Sequence, residues 1–171
     1  MSALCTDTRR TVFPTDLGWM ALVGTGDVLR RLVFGYSTAA EAEQALGPDW
    51  LERSRLVAWN GSLRHRLEHY AAGQYVEFDD VPVELDNLTD FARRVFLALR
   101  KVRYGHITTY AALASEAGSP KAARAVGNWM AANPIPLVIP CHRVVCSRNQ
   151  LGNYSAPGGG ATKRRLLEME R

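Results

Sequence analysis

Three consecutive side chains near the carboxyl end of this sequence, Cys141, His142 and Arg143, set a thiol, an imidazole and a guanidinium side by side. A thiol with a reference pKa of ~8.5 is only a few per cent ionised at neutral pH, so a nucleophilic cysteine needs a cation, a helix N-terminus or a base beside it. His142 and Arg143 can supply that. Adjacent side chains in extended backbone point to opposite sides, so the sequence predicts contact between Cys141 and His142 through a bridging water, with a third group orienting the imidazole. Taken singly, Cys141 also reads as a small buried apolar residue and His142 as a satisfied core imidazole. Cys146 reads as structural, since a Cys-x4-Cys zinc site there has no second ligand pair. His65 and His69 stand four apart, a spacing that can ligate metal, but no cysteine or second histidine pair is near in sequence, and a plain amphipathic helix is favoured.

The elements that must position this chemistry can be read outward from it. Ile135 to Pro140 is a short apolar run fenced by prolines, which cannot be an interior ladder strand at both ends, and it delivers the chain rigidly to Cys141. Upstream, Phe91, Val95, Phe96, Leu99 and Val102 recur at helical spacing between Arg93, Arg94, Arg100 and Lys101, predicting a basic amphipathic helix from Thr89. Tyr104-Gly105-His106 breaks it. Thr108 or Thr109 caps a short helix through Ala114 that Gly118 ends, and Ser119-Pro120 opens another, with Pro at the first helical position and Asn133-Pro134 past its end. Helix, glycine turn and helix make a helix-turn-helix candidate. On the last helix Ala122, Val126, Trp129 and Met130 share a core face, while Lys121, Arg124 and Asn128 share another. Its small residues Ala122, Ala123, Ala125 and Gly127 allow close approach to a nucleic-acid backbone, as in a narrow groove; two solvated cations on an ordinary packed helix fit the segment as well.

The first half reads differently. Leu17 to Gly24 and Val28 to Phe34 predict a hairpin closed at Thr25-Gly26-Asp27; Thr38 to Leu46 a helix; Ser62 the cap of a helix over Leu63 to Ala72; and Tyr75 to Leu85 a third strand. No catalytic cluster stands out there. With 171 residues, 47% apolar and 22% charged, the chain can bury a core in one domain or two small ones, and the reading here is two, 1–85 and 86–171. The net charge of +4 divides unevenly, −4 over residues 1–85 and +8 over 86–171, which points the second half at a polyanion. No stretch is apolar for the ~18 residues a membrane span needs, and Asp7, Arg9, Arg10 and Asp16 replace a signal core, so an intracellular protein without a membrane partner is expected. Three cysteines are too few for a disulfide scaffold.

Ile139-Pro140-Cys141-His142-Arg143-Val144-Val145, preceded by Ala122-Ala123-Arg124-Ala125-Val126-Gly127 and by Asn133-Pro134, strongly resembles the methylated-DNA–protein-cysteine methyltransferases, the O6-alkylguanine-DNA alkyltransferases. The likeness is detailed from Phe91 to Glu170; the N-terminal half agrees in length and strand–helix order. It implies an α/β fold, with a ribonuclease H-like N-terminal domain followed by a winged-helix-like helix-turn-helix domain that binds DNA and carries the active site. It implies irreversible, stoichiometric transfer of an alkyl group from O6-alkylguanine, and O4-alkylthymine, in duplex DNA to the protein's own cysteine after nucleotide flipping. By the resemblance Cys141 is the acceptor, His142 the base acting through water, and Glu170 the acid that orients it, with Glu168 as the nearby competitor. Tyr110 contacts the extruded base, Asn133 braces the active-site turn, and Arg124 is the finger that fills the stack. Lys121, Ala122, Ala123, Asn128 and Thr109 make further DNA contacts. Val144, Tyr154 and Ser155 line the guanine pocket, with Lys163 near its rim.

No cofactor and no metal are implied, Cys5 lacking the partners that form a structural zinc site in some relatives. The expected partner is double-stranded DNA bearing alkylated bases, met by a free monomer that can act cooperatively on DNA, in the cytoplasm or, in a eukaryote, the nucleus. The loop Ser155 to Gly160 is longer than the common form, with Ala156 where many relatives have glycine, and it bears on alkyl size. A phosphotriester-sensing module before the N-terminal half is not expected, which argues against a transcriptional activator of the adaptive-response type. Two other functions fit parts of the pattern, a non-catalytic lesion binder, against which Cys141 itself argues, and a multiple-turnover thiol hydrolase.

Overall fold

A computed structural model describes residues 7–171; Cys5 lies outside the described residues. The described residues divide into two compact units, 7–74 with 81–84, and 75–80 with 85–171.

The first unit is built on a four-stranded sheet of order β3-β2-β1-β4. Strands β1 (Thr8–Thr15), β2 (Gly18–Thr25) and β3 (Val28–Tyr36) form an antiparallel meander, and the two-residue β4 (Arg55–Leu56) runs parallel to β1. The expected hairpin is β2 and β3, with Leu17 in the preceding turn. Strand β1 was not legible: its buried positions are Thr8, Thr11 and Phe13, which do not keep a single-face alternation, and Pro14 follows them. In β2, Met20 to Gly24 is buried throughout because both sheet faces are covered. Helix α1 (Ala39–Ala45), capped by the Thr38 hydroxyl, places Ala42 against Ala21 and Val23. Helix α2 (Pro48–Arg53) follows, and helix α3 (Gly61–Ala71) packs on β1. The α3 cap is the Asn60 side chain, in left-handed backbone, in place of the expected Ser62. The expected third strand at Tyr75 to Leu85 is an extended strap that meets β3 only around Leu29, whose N–H donates to Pro82 O at 2.9 Å and whose carbonyl accepts from Glu84 N–H at 3.0 Å. Pro82 has no N–H with which to continue a ladder.

In the second unit, α4 (Asp90–Leu99) is capped by Thr89 and buries Ala92, Val95, Phe96, Ala98 and Leu99, as the helical spacing predicts. Helix α5 (Tyr110–Glu116) is capped by Thr109, whose Oγ1 accepts from Ala112 N–H at 3.1 Å, and Gly118 turns the chain at φ +82°. Helix α6 (Ala123–Ala131) begins three residues later than Pro120 predicts, with Ala122 at its cap and no side-chain cap bond. Ser119 to Ala122 instead closes a turn, Ala122 N–H donating to Ser119 O, so Lys121 does not share a helical face with Arg124 and Asn128. Strands β5 (Thr108–Thr109) and β6 (Val144–Val145) pair in parallel, and α7 (Gly160–Met169) ends the fold. The architecture is mixed α/β. No helix among the described residues is long and apolar enough to cross a membrane.

Candidate active site

Five of the six residues from Ile135 to Pro140 are buried, yet the segment forms a tight turn: Ile139 N–H donates to Ile135 O at 2.9 Å. Leu137 adopts φ +71°, a region costing a leucine about 1–2 kcal/mol. Asn133 holds this turn closed, its Nδ2 donating to Ile139 O at 2.8 Å and its Oδ1 accepting from Ile135 N–H at 3.0 Å. The chain then enters a single 3-10 turn, Cys141–Arg143, where the sequence predicted extended backbone. Side chains in such a turn fan out by about a third of a revolution per residue, so Cys141, His142 and Arg143 face three directions.

Glu170, just past the end of α7, gathers two of the three. Its Oε1 meets His142 Nε2 at 2.8 Å, and Arg143 grips it bidentately, Nε to Oε2 and Nη2 to Oε1, each at 3.0 Å. Arg143 Nη1 donates to Val102 O at 2.6 Å. All three side chains are buried, whereas Glu168 is exposed. Gly105 completes the cradle: its N–H reaches Glu170 Oε2 at 3.4 Å, its φ is +76°, and a Cβ there would stand 2.9 Å from Glu170 O. Burial alone would raise the Glu170 carboxyl; His142 and Arg143 more than offset that and hold it down to about 2. Burial pushes His142 down, against the pull of Glu170, so the imidazole is neutral near pH 7. A neutral ring facing a carboxylate through Nε2 carries its proton there, which makes Nδ1 the basic nitrogen. Arg143, expected as a possible activator of the thiol, is turned to the carboxylate instead.

Cys141 itself is 4% exposed, and its N–H donates to Ile139 O at 2.8 Å. Burial pushes its thiol up, with Asn133, Lys163 and Tyr154 pulling the other way. The resting sulfur is therefore protonated, and its proton has to leave as the sulfur reacts. The sulfur borders a cavity of about 770 Å³ whose walls include Tyr110, Ala123, Arg124, Asn128, Tyr154 and Ser155. Tyr110 enters it as the first residue of α5, set beside the segment after Cys141 by the β5–β6 pairing of Thr108 with Val144 and Thr109 with Val145. Gly152, at φ +72°, leaves room that a Cβ would take, 3.1 Å from both the Tyr110 hydroxyl and the Cys146 sulfur.

Several expected positions fall elsewhere. Lys163 is wholly buried, not at a rim: Nζ donates to Val144 O at 2.5 Å and to Asn153 O at 3.5 Å, fastening β6 to the loop before Tyr154. Val144 is buried behind the wall and does not border the cavity. Thr109 spends its hydroxyl on the α5 cap, and Lys121 and Ala122 lie outside the cavity lining. Cys146, read as structural, borders the cavity, because β6 carries the chain from Cys141 along the same wall. No group of three or more His, Cys, Asp or Glu fit for a metal occurs among the described residues.

Fold and site together define a class: a helix-turn-helix protein in which a buried thiol and an exposed arginine of the second helix share one cavity. The family model described as 6-O-methylguanine DNA methyltransferase, DNA binding domain, matches residues 90–171. The methylated-DNA–protein-cysteine methyltransferase of Haemophilus influenzae is 32% identical over 94% of this chain and 85% of its own length, and the human one 38% identical over 95% and 80%. The crystal structure of Mycobacterium tuberculosis OGT in complex with DNA is similar at a TM-score of 0.79 and 35% identity, covering 95% of this chain and 92% of that one. The chain belongs to the methylated-DNA–protein-cysteine methyltransferases.

Proposed function

We propose that the protein reverses DNA alkylation directly, Cys141 taking the alkyl group from O6-alkylguanine once and keeping it. The observation that carries this reading is that Cys141 and Arg124 border the same cavity, one from the 3-10 turn and the other from α6. The target atom is inside a duplex and must come out before a thiol can approach it in line. Residues 86–171 do this work as a DNA-binding and catalytic domain, with α6 in the groove and Arg124 filling the space the rotated nucleotide leaves. Unstacking costs a few kcal/mol, less for a poorly paired alkylated base, and the inserted guanidinium offsets part of it. The extruded base enters between Tyr110 and Tyr154.

The sulfur then attacks the alkyl carbon, a carbon–sulfur bond forming as the carbon–oxygen bond breaks. The thiol proton passes through a water to Nδ1 of His142, and Glu170 stabilises the imidazolium. The Tyr110 hydroxyl hydrogen-bonds the departing guanine and gives it the proton its ring needs, and the proton held by His142 returns through water to restore the phenol. No metal takes part in these steps. The partner is double-stranded DNA carrying alkylated bases, O4-alkylthymine included, met by a monomer inside the cell.

Mixing the protein with an excess of duplex bearing O6-methylguanine tests this. The expected result is one methyl per chain, found on Cys141 by mass spectrometry. Continued turnover indicates a thiol hydrolase instead, and a lesion retained with unchanged protein mass indicates a binder.

A further inference from the structure

We infer that Glu77 is a positioning residue of this site, the carboxylate that balances Arg143 so that Glu170 can serve His142 when the imidazole takes a proton. The inference rests on the reading of His142 as the base. Glu77 lies in the strap once read as a strand, in the portion that belongs to the second unit. Its Oε2 stands 4.0 Å from Arg143 Nη1, and its side chain is 20% exposed. Its Oε1 accepts from Tyr104 N–H and from the Tyr75 hydroxyl, both at 3.1 Å. Tyr104 in turn lies under the Arg143 guanidinium, 5.9 Å from ring centre to Cζ, and donates its hydroxyl to Met169 O at 2.9 Å. The strap is thus tied both to the cation and to the end of α7 that carries Glu170.

A count of charges gives the reason. Glu170 carries one negative charge and holds two partners, the permanent cation Arg143 and an imidazole that becomes cationic when the thiol proton arrives. Two cations on one buried anion leave an uncompensated charge, which is costly away from water. With Glu77 included, Arg143 and the imidazolium each have a carboxylate. The other charged group acting on His142 is Lys163, which disfavours its protonation; the proton it takes comes, in the proposed step, from Cys141 through water. Facing Glu77 are Arg143, Tyr75 and Tyr104, with Asp79 and Arg103 acting on Tyr75.

The test is the single-turnover rate of methyl transfer from duplex DNA at saturating DNA, between about pH 5 and 9, for the full-length wild type, Glu77→Gln, Glu77→Asp and Tyr75→Phe. The carboxamide of Glu77→Gln keeps the hydrogen-bond acceptor and removes the charge. The expected result is a plateau about threefold to tenfold lower, and an acid limb moved to lower pH by about half to one unit, because the imidazolium has become harder to form. Duplex affinity stays at the wild-type value, and Cys141 still gains one methyl. Glu77→Asp and Tyr75→Phe keep the charge and the wild-type midpoint. A Glu77→Gln midpoint equal to wild type, or an equal shift in Tyr75→Phe or Glu77→Asp, overturns the role of Glu77 alone. A wild-type rate without an acid limb overturns the base reading beneath it.

Discussion

Cys141 and His142 are adjacent in sequence, yet the imidazole's carboxylate partner lies 28 positions away. Glu170 and Glu168 both fit the acidic end of α7 by composition, and the fold separates them, Glu170 buried on the imidazole and Glu168 facing solvent. Glu170→Gln therefore should lower the rate of alkyl transfer at least tenfold, short of the roughly hundredfold low end for an acid–base group itself because it acts through the histidine, with duplex affinity little changed. Glu168→Gln should leave both alone, as single-turnover kinetics and DNA titration would reveal; the opposite ranking would sink the assignment. What was legible at this scale is what lies along the chain: the thiol, the imidazole, and Asn133 before the turn it closes. Lys163 was misplaced because a lysine reads as a surface residue until two backbone carbonyls are found around its ammonium. Glu77 was not legible at all, since nothing local distinguishes it from other acids of the first half.

At the level of elements, helix periodicity and caps carried the reading where packing obeyed them, as in α4 behind Thr89 and α5 behind Thr109. It failed where local signals competed. Ser119-Pro120 looks like a helix start but closes a turn first, and Pro82 in the strap removes the N–H that a third strand would need. Cys141 lies in a 3-10 turn that no periodicity announces. The consequence for α6 is that Arg124 sits in its first turn, exposed and on the cavity. Arg124→Ala should therefore slow repair of duplex by tenfold or more, about what a few kcal/mol of unstacking would allow, and barely affect reaction with free O6-benzylguanine, which needs no flipping. Equal losses on the two substrates would contradict the finger role.

For the molecule as a whole, the buried cluster makes stability a function of acidity. The folded value of Glu170 is depressed to about 2 from an ordinary 4.5, so its contribution is complete above 4.5 and disappears as pH falls toward 2. That contribution is on the order of 3 kcal/mol. His142, depressed by burial, adds a loss that begins below its usual 6.5. Urea unfolding should thus show Glu170→Gln weaker than wild type by about 3 kcal/mol near neutrality, with the two curves converging in strong acid. A gap that persists at pH 2 would place the loss in packing and not in charge.

The chain has three lysines against eighteen arginines, and the engulfed ammonium of Lys163 leaves Lys101 and Lys121 as the exposed ones. Acylating reagents will therefore mark two side chains of very different consequence, one at the end of α4 and one in the turn leading into α6. A fluorophore or resin grafted at Lys121 crowds α6, the helix proposed to enter the groove, while the same graft at Lys101 is remote from it in sequence. Guanidinium chemistry carries nearly all of the protein's positive charge, so it can be tethered through amines at very few points.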